Sequence, residues 1–469
     1  PTLNSSNGGG TSESGRAGFI GRLRYDYKGK YYAEGSIRRD GSDWFPKDKR
    51  WGTFWSGSAG WVISEETFMK DLNDQNILNF LKLRGSWGVV GLDGSDAGIS
   101  RFQYIPGYNI TERGYLINNS FVQGFTEGPL VSPDLTWYSQ SSRNIGFEFS
   151  TLKSKLSGSF DYFYLKTTGY LASLSGSMYT DPLGISLPTR KTNGEFRRAG
   201  FEISASYKGN VGKLNYEISG NMTRFDQLWA NKPDEDQATL KNPYTRQTQQ
   251  TGYYGIGYLS DGFYSSADDI LNSPKYVSAT NLVPGDIKYK DINGDGRIDS
   301  QDQTRIGKNS FPRMNYGIGI DLRYGAWFLN TLIQGSGNRD IYPGDVIRNN
   351  QVYTFQTDYW TPSNTNAKYP RLMSSPSYNG SNNTLTSDFW LTNGRYIRLK
   401  SMQLGYDFKA GLLKKLPFVS ELSCIFSGSN LITLSPALRR YKMDPEVGDT
   451  NNYDYPAERV YSLTVRVGF

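Results

Sequence analysis

Ala457–Phe469 reads Ala-Glu-Arg-Val-Tyr-Ser-Leu-Thr-Val-Arg-Val-Gly-Phe and alternates between two kinds of side chain up to its last residue. One set is apolar and comprises Tyr461, Leu463, Val465, Val467 and Phe469, and the other is polar or small and comprises Ser462, Thr464, Arg466 and Gly468. A period of two is typical of a β-strand with one apolar and one polar face. Such a strand fits either a soluble β-sandwich or a membrane barrel.

The same pattern recurs along the chain. Met314–Tyr324, Leu214–Thr223 and Ala199–Tyr207 alternate in the same way, and none of them has a helical period. Weaker copies begin near Phe19, Tyr31, Thr53, Phe80, Ser142, Leu156, Ala326, Arg395 and Glu421. The sequence therefore predicts an all-β fold with about thirteen strands.

The composition favours a membrane barrel. The 469 residues include 34 Tyr, 24 Phe and 10 Trp, yet only 37% are hydrophobic and the mean hydropathy is -0.58. A transmembrane helix needs a run of roughly 18 or more apolar residues, and the sequence contains none. Barrel strands escape hydropathy searches because every second residue faces water.

Several functional classes are disfavoured by what the chain contains. Its net charge of +7 comes from basic residues scattered among acidic ones, which argues against nucleic-acid binding. Cys424 is the only cysteine, so there is no internal disulfide, and it shares a strand face with Leu422 and Phe426. Histidine is absent, which removes the commonest general base and zinc ligand. We therefore expect no enzyme; a hydrolase would need a carboxylate pair as its acid and base.

The connections alternate between tight turns and long segments. Tight turns are predicted at Lys28–Lys30, Lys153–Lys155, Gly209–Gly212 and around Gly325. Long segments run from 88 to about 140, 167 to 195, 225 to 312, 337 to 393 and 432 to 456. Short periplasmic turns and long extracellular loops are typical of transmembrane antiparallel β-barrels.

One strand changes its outward face part-way. Ile397 and Leu399 share one face, whereas Met402 and Leu404 share the other. An extra residue in one strand shifts the side chains beyond it to the opposite face. The sequence therefore predicts a bulge near Lys400, or a strand that rises above the membrane.

Several segments resemble one family in combination. These are Tyr31–Ser42, Leu81–Gly88, Arg395–Lys400 with Leu404–Tyr406, Ser429–Leu431, Asp444–Glu446 and Tyr455–Arg459. Together they are similar to the barrel of SusC/RagA-type TonB-dependent transporters of the Bacteroidetes outer membrane. The resemblance covers nearly the whole chain and implies a multi-pass protein of that membrane.

The resemblance also implies a larger protein. It implies a barrel of about 22 strands, so that residues 1–469 supply the C-terminal strands, while the plug and the N-terminal strands lie outside this sequence. It further implies import of oligosaccharides, or of peptides in some relatives, with a SusD-like lipoprotein and with TonB acting through the N-terminal region. A passive porin-type channel is the alternative function.

A metal-binding loop is predicted at Asp291–Asp302. Its oxygen-bearing side chains at positions 1, 3, 5, 9 and 12, and the carbonyl oxygen at position 7, belong to Asp291, Asn293, Asp295, Asp299, Asp302 and Arg297. This spacing, with Gly296 at position 6, is that of a calcium loop, although Asp302 replaces the usual Glu and the flanks are not helical. We expect a structural Ca²⁺ in an extracellular loop; the alternative is a turn that binds nothing.

Other candidates are less specific. Aromatic residues that could stack on sugars or contact a partner are Tyr104, Tyr108, Tyr115, Phe121, Phe125, Trp137, Tyr138, Tyr353, Phe355, Tyr359 and Trp360. Aromatic girdles at barrel rims are the favoured explanation of such residues. Charged residues expected to face the lumen, and to pair with each other or with the plug, are Arg22, Arg24, Lys82, Arg84, Asp161 and Arg323.

Overall fold

The computed structural model describes residues 13–93, 101–128, 130–172, 190–344, 347, 352–409, 419–446 and 457–469. Thirteen strands form one antiparallel sheet in which every strand pairs with its neighbours along the chain. Numbered in chain order, they are β1 (Arg16–Tyr27), β2 (Tyr31–Ser42), β3 (Trp51–Val62), β4 (Leu78–Leu92), β5 (Tyr138–Thr151), β6 (Leu156–Thr168), β7 (Glu195–Val211), β8 (Leu214–Asn231), β9 (Met314–Tyr324), β10 (Trp327–Ser336), β11 (Tyr396–Asp407), β12 (Glu421–Leu434) and β13 (Val460–Gly468). The predicted strand number is confirmed.

The sheet has one apolar and one polar face. Leu463 of β13 lies opposite Phe426 of β12, and Val465 lies opposite Cys424. These side chains project from the apolar face, where Leu463 is 71% exposed. Large apolar side chains that remain exposed along a whole sheet face need a non-aqueous environment. The face predicted for Cys424 is confirmed.

Tight turns close one end of the sheet. Lys28 and Gly29 both have positive φ, at 56° and 65°, and join β1 to β2. Gly212 and Gly325 likewise have positive φ in the turns that follow β7 and β9. A left-handed conformation matches the twist of a two-stranded hairpin and suits glycine, which has no Cβ to clash.

The alternation of connection lengths is less strict than predicted. At the tight-turn end, residues 63–77 and 408–420 form longer connections, and at the opposite end residues 43–50 form a short one. Strands β4 and β8 also continue to Leu92 and Asn231, into segments predicted as loops. The last five residues of β8, 227–231, are all partly buried whichever face they lie on, so polar and apolar side chains do not alternate there.

A bulge interrupts β11 where it was predicted. The register of β11 shifts between Leu399 and Ser401 against β12, and opposite Leu332 and Ile333 against β10. Lys400 is thus the extra residue. The bulge places Ile397 and Leu404 on the same side of the sheet despite their odd spacing.

The connections contain short elements of their own. Further described strands are Tyr108–Ile117, Ser120–Glu127, Leu171–Ala172, Arg190–Lys191, Gly255–Gly257, Ser260–Phe263, Lys275–Tyr276, Ile287–Tyr289, Arg297–Ile298, Thr304–Ile306, Asp340–Ile341 and Thr392–Asn393. The described α-helices are Lys70–Asp74, Gln237–Lys241, Ala267–Asn272 and Pro436–Tyr441, and 3-10 turns cover Ile63–Glu65, Thr67–Met69, Ser300–Asp302, Thr354–Thr357 and Asn382–Thr384. In the described ranges, no helix is both long enough and apolar enough to cross a bilayer.

Three long connections share one hydrophobic core, which we call the loop core. Its buried members come from residues 232–313, 337–395 and the helix Pro436–Tyr441, and they are Tyr258, Ile287, Tyr289, Ile298, Ile306, Tyr342, Ile347, Tyr369, Trp390, Leu391 and Tyr441. A second cluster is built around Phe45, Leu135, Tyr138 and Leu171. The long connections therefore pack as a folded layer above the sheet rather than as separate loops.

Candidate functional site

Charged residues form a network on the polar face of the sheet. Arg84 of β4 pairs with Asp161 of β6 at 2.5 Å and with Glu148 of β5 at 3.0 Å. The register explains the contact, because Arg84, Gly146 and Asp161 lie in one row across three strands. A Cβ atom at Gly146 would lie only 2.3 Å from the Asp161 Oδ1 atom, so glycine leaves space for the ion pair.

A second group of charges lies on β1 and β2. Arg22 donates two hydrogen bonds of 2.8 Å to Glu34, and Arg24 lies 3.4 Å from the same carboxylate. The Lys82 ammonium group lies 4.9 Å from the centre of the Tyr32 ring. All of these groups except Arg22 line an open groove of about 570 Å³ on the polar face.

Most of the charges predicted for the lumen are therefore placed together. Five of them lie on this face with the partners given above: Arg22, Arg24, Lys82, Arg84 and Asp161. Arg323 lies apart, beside a second groove near the tight-turn end of β9. Polar groups on one face and apolar groups on the other suit a water-filled interior surrounded by lipid.

A buried ion-pair cluster joins β11 to the last long connection. The Arg398 side chain is 1% exposed, and it binds Asp444 and Glu446 at 2.7 Å each. Arg398 also donates to the Thr433 hydroxyl at 2.9 Å, and the Tyr396 hydroxyl donates to Glu446 at 2.6 Å. We call Arg398, Asp444 and Glu446 the rim latch, because they fasten residues 444–446 to the sheet edge nearest the long connections.

The two segments that form the rim latch are noticeable in the sequence, but their contact is not predictable from it. Arg395–Lys400 and Asp444–Glu446 were each singled out for the family resemblance, but nothing in their spacing predicts an ion pair. A related pair joins two other connections: Arg371 donates to the fully buried Asp286 at 2.8 Å. The Asp286–Arg371 pair thus joins two connections of the loop core to each other, and the rim latch joins residues 444–446 to β11.

The short helix Ala267–Asn272 is fastened by an acidic group. The Asp269 carboxylate accepts hydrogen bonds from the Ser265 backbone at 2.9 Å, from Lys288 at 2.9 Å and from the Ser273 hydroxyl at 2.9 Å. The Ser265 backbone bond, followed by Lys288, holds the pKa of Asp269 well below its usual range. The ionised form therefore persists at neutral pH and stabilises this corner of the loop core.

The predicted calcium loop forms a compact turn. The Asp291 carboxylate accepts from the backbone N–H groups of Gly294 at 2.6 Å and Gly296 at 2.8 Å. Both glycines have positive φ, at 78° and 82°. The Gly296 bond, with the Gly294 bond also contributing, lowers the pKa of Asp291.

Asp302 is the anchor of this loop. It is 0% exposed, and its two oxygens accept from the backbone of Ile292 at 2.8 Å and of Asp299 at 2.9 Å. Asp295 and Arg297 lie at the exposed side of the turn, where the Arg297 backbone N–H donates to the Asp295 carboxylate at 2.9 Å. Backbone N–H groups thus already bind some of the carboxylate oxygens that the sequence predicts as calcium ligands.

The residue types of this loop suit a calcium site, but the positions of their side chains suit it less well. Carboxylate and amide oxygens are the ligands that Ca²⁺ prefers, and each carboxylate can accept more than one bond. Among the described residues, however, no group of three or more His, Cys, Asp or Glu side chains converges as metal ligands. The calcium site therefore stays a prediction, as does the role of Asn293 and Asp299 in it.

The candidate aromatic residues fall into two groups. Tyr108, Tyr115, Phe121 and Phe125 lie on the hairpin Tyr108–Glu127 and are between 61% and 73% exposed. The others lie within packed layers or beside them. Trp137 and Tyr138 belong to the second cluster, and Tyr353, Phe355 and Trp360 lie near the loop core. The Tyr104 hydroxyl donates a hydrogen bond to the Asp43 carbonyl, and Tyr359 forms a β-bridge with Tyr369. Among these described candidates, the hairpin group is therefore the one whose members are mostly exposed.

Comparison with known proteins identifies the class of barrel. No family model matches the chain. TonB-dependent receptor P39 of Formosa agariphila is 29% identical over 92% of this chain and 43% of its own length. TonB-dependent receptor SusC of Bacteroides thetaiotaomicron is 28% identical over 83% of this chain and 38% of its own length. The resemblance to SusC/RagA-type receptors is confirmed.

The fold of a solved transporter agrees with this result. The RagAB peptide importer in its open-open state superposes with a TM-score of 0.74 at 17% identity, over 97% of this chain and 47% of the matched chain. The chain thus spans about half the length of the relatives it matches. It is a multi-pass outer-membrane β-barrel chain, its apolar face contacts lipid and its polar face lines the lumen.

Proposed function

We propose that residues 1–469 form the C-terminal part of the barrel of a TonB-dependent importer. The importer takes up oligosaccharides or peptides across the outer membrane. The long connections lie outside the cell, and a SusD-like lipoprotein covers them. TonB acts through an N-terminal region that also supplies the plug and the remaining strands.

The observation that carries this proposal is the similarity to receptors named TonB-dependent, which extends over 92% of this chain. The relatives are receptors rather than enzymes, in keeping with the absence of histidine from the sequence. The polar face adds physical support. Its ion pairs, such as Arg84 with Asp161, give a polar wall of the kind that suits the passage of a polar nutrient.

The folded layer of long connections supports the docking of a partner. The loop core, the rim latch and the Asp286–Arg371 pair hold three connections in one arrangement. A preorganised surface loses less conformational entropy on association than separate flexible loops would. The exposed hairpin Tyr108–Glu127 provides apolar and aromatic groups of the kind enriched at protein interfaces.

Uptake by cells that express the whole receptor tests the proposal. Radiolabelled oligosaccharides and peptides should accumulate against a gradient, and accumulation should stop when a protonophore collapses the proton gradient. Deletion of the gene for the SusD-like partner should reduce uptake at low substrate concentration. Uptake that persists unchanged without the proton gradient would contradict the proposal and support the passive channel.

A further inference from the structure

On the lipid-facing side of the sheet, basic side chains near the long connections give way directly to apolar side chains. On β5 the outward residue Arg143 is followed toward the tight turns by Ile145 and Phe147, which are 65% and 36% exposed. On β6 Lys166 is likewise followed by Tyr164 and Tyr162. Each of these strands thus passes from a basic side chain directly to the apolar surface.

The neighbouring strands repeat the change at the same end. On β7 Arg197 is followed by Ala199 and Phe201 on the same face, and on β8 Arg224 is followed by Met222. The register places Arg197 directly opposite Lys166, and Arg143 in one row with Tyr164 and Ala199. Lys166 and Arg197 are therefore direct neighbours, and Arg143 and Arg224 lie in the next two outward rows toward the tight turns.

We call this surface the outer basic patch. It comprises Arg143, Lys166, Arg197 and Arg224 on the outward face, together with Arg313, which joins it through Asp226. Two carboxylates face it among the described residues: Glu195, which pairs with Lys166 at 2.9 Å and with Arg197 at 2.5 Å, and Asp226, which pairs with Arg313 at 2.5 Å. Five cations thus share two acidic partners, so the patch carries a net positive charge.

Two of these arginines have no acidic partner among the described residues. The Arg143 guanidinium lies 5.3 Å from the centre of the Trp87 ring on the neighbouring strand, and both Arg143 and Arg224 are exposed. Arg39 on β2 repeats the arrangement 5.8 Å from the Trp51 ring. Tryptophan is enriched at the membrane interface, where a charged group beside it reaches the headgroups rather than the acyl chains.

We propose that the outer basic patch binds phosphate groups on the headgroups of lipids in the outer leaflet. The proposal depends on the orientation given above, with the long connections outside the cell. Planar guanidinium groups form paired hydrogen bonds with phosphate oxygens, and the apolar surface immediately below receives the acyl chains. The site therefore contacts both the phosphate groups and the acyl chains of a lipid, which a positive charge alone would not do.

Native mass spectrometry of the whole receptor, purified and stripped of lipid, tests this inference. Diphosphorylated lipid A should bind the wild-type receptor more tightly than the same lipid without its phosphates. The double variant Arg143→Gln with Arg224→Gln should weaken binding by about fivefold for each cation removed. Arg143 and Arg224 are chosen because neither side chain pairs with a described carboxylate, so their substitution breaks no described ion pair.

Matched variants separate lipid binding from misfolding. Arg198→Gln removes a cation next to Arg197 whose side chain faces the lumen and bonds Gln227 at 2.8 Å, so it should leave lipid A binding unchanged. Arg143→Lys with Arg224→Lys keeps the charge but loses the planar guanidinium groups, so its binding should lie between that of the wild type and that of the glutamine variant. Equal loss in the Arg198 variant, or equal binding of the dephosphorylated lipid, would overturn the inference.

A last arm distinguishes a lipid from free phosphate. Inorganic phosphate at the same concentration as lipid A should not displace it, because it lacks the acyl chains. Displacement would show a free-phosphate site and overturn the proposal of a lipid ligand. Since the assay requires no uptake, its failure is distinguishable from failure of the proposed import function.

Discussion

At the scale of single residues, Arg398 is the most consequential side chain of the rim. Its guanidinium group is almost fully buried and lies between two carboxylates, Asp444 and Glu446. Removing one partner of a buried ion pair leaves the other charge uncompensated, which costs about 3–5 kcal/mol. The helix Pro436–Tyr441 directly precedes these carboxylates and places Tyr441 in the loop core.

Substitution of Arg398 should therefore loosen the last connection without unfolding the sheet. We expect Arg398→Ala to increase hydrogen–deuterium exchange across Pro436–Glu446, with Arg398→Lys intermediate because lysine lacks the planar fork. Lys400→Ala is the matched control, since that side chain is 37% exposed and lies 3.5 Å from Glu446. Exchange in Arg398→Ala equal to that of the wild type would show that the latch does not position this segment.

At the scale of elements, the loop Asp291–Asp302 has two physical interpretations. In one, Ca²⁺ offsets the repulsion among its aspartates. In the other, backbone N–H groups alone satisfy Asp291 and Asp302, as the turn's hydrogen bonds allow. The two interpretations differ in whether added calcium changes the stability of the loop.

Calcium titration of the whole receptor separates these interpretations. We expect calcium to protect the loop from proteolysis, and Asp295→Asn to weaken this protection at least tenfold, because Asp295 is exposed, bonds Asn293 and Arg297 of the same loop, and loses one negative charge of the predicted ligand set when it becomes asparagine. Asp268→Asn, an exposed acidic residue of the nearby helix Ala267–Asn272, is the matched control. Protection by calcium that is identical in the Asp295 variant, or absent altogether, would contradict the prediction.

The elements also show which parts of the structure a sequence can predict. The strands, the turn at Lys28–Gly29 and the bulge at Lys400 were predictable, because alternation and turn chemistry depend on adjacent residues. The Asp286–Arg371 pair and the rim latch were not, because they join segments far apart in the chain. Contacts of that kind leave no periodic pattern, so the candidate site was predicted less completely than the sheet.

At the scale of the whole molecule, the sheet has two open edges. Within the described part of the chain, strands β1 and β13 each pair with a single neighbour, β2 and β12 respectively. Unpaired backbone groups within a bilayer cost several kcal/mol each, so a membrane sheet must close on itself. We therefore propose that further strands of the same receptor pair with β1 and β13 to complete the barrel.

The central claim is that one sheet face contacts lipid and the other contacts water. Spin labels at successive positions from Tyr461 to Val467, in a Cys424→Ser background and in the whole receptor in bilayers, test it most directly. We predict that collision rates with oxygen peak at Leu463, Val465 and Val467, whereas rates with a water-soluble nickel complex peak at the positions between them. Rates that vary without a period of two, or with the opposite phase, would contradict the account.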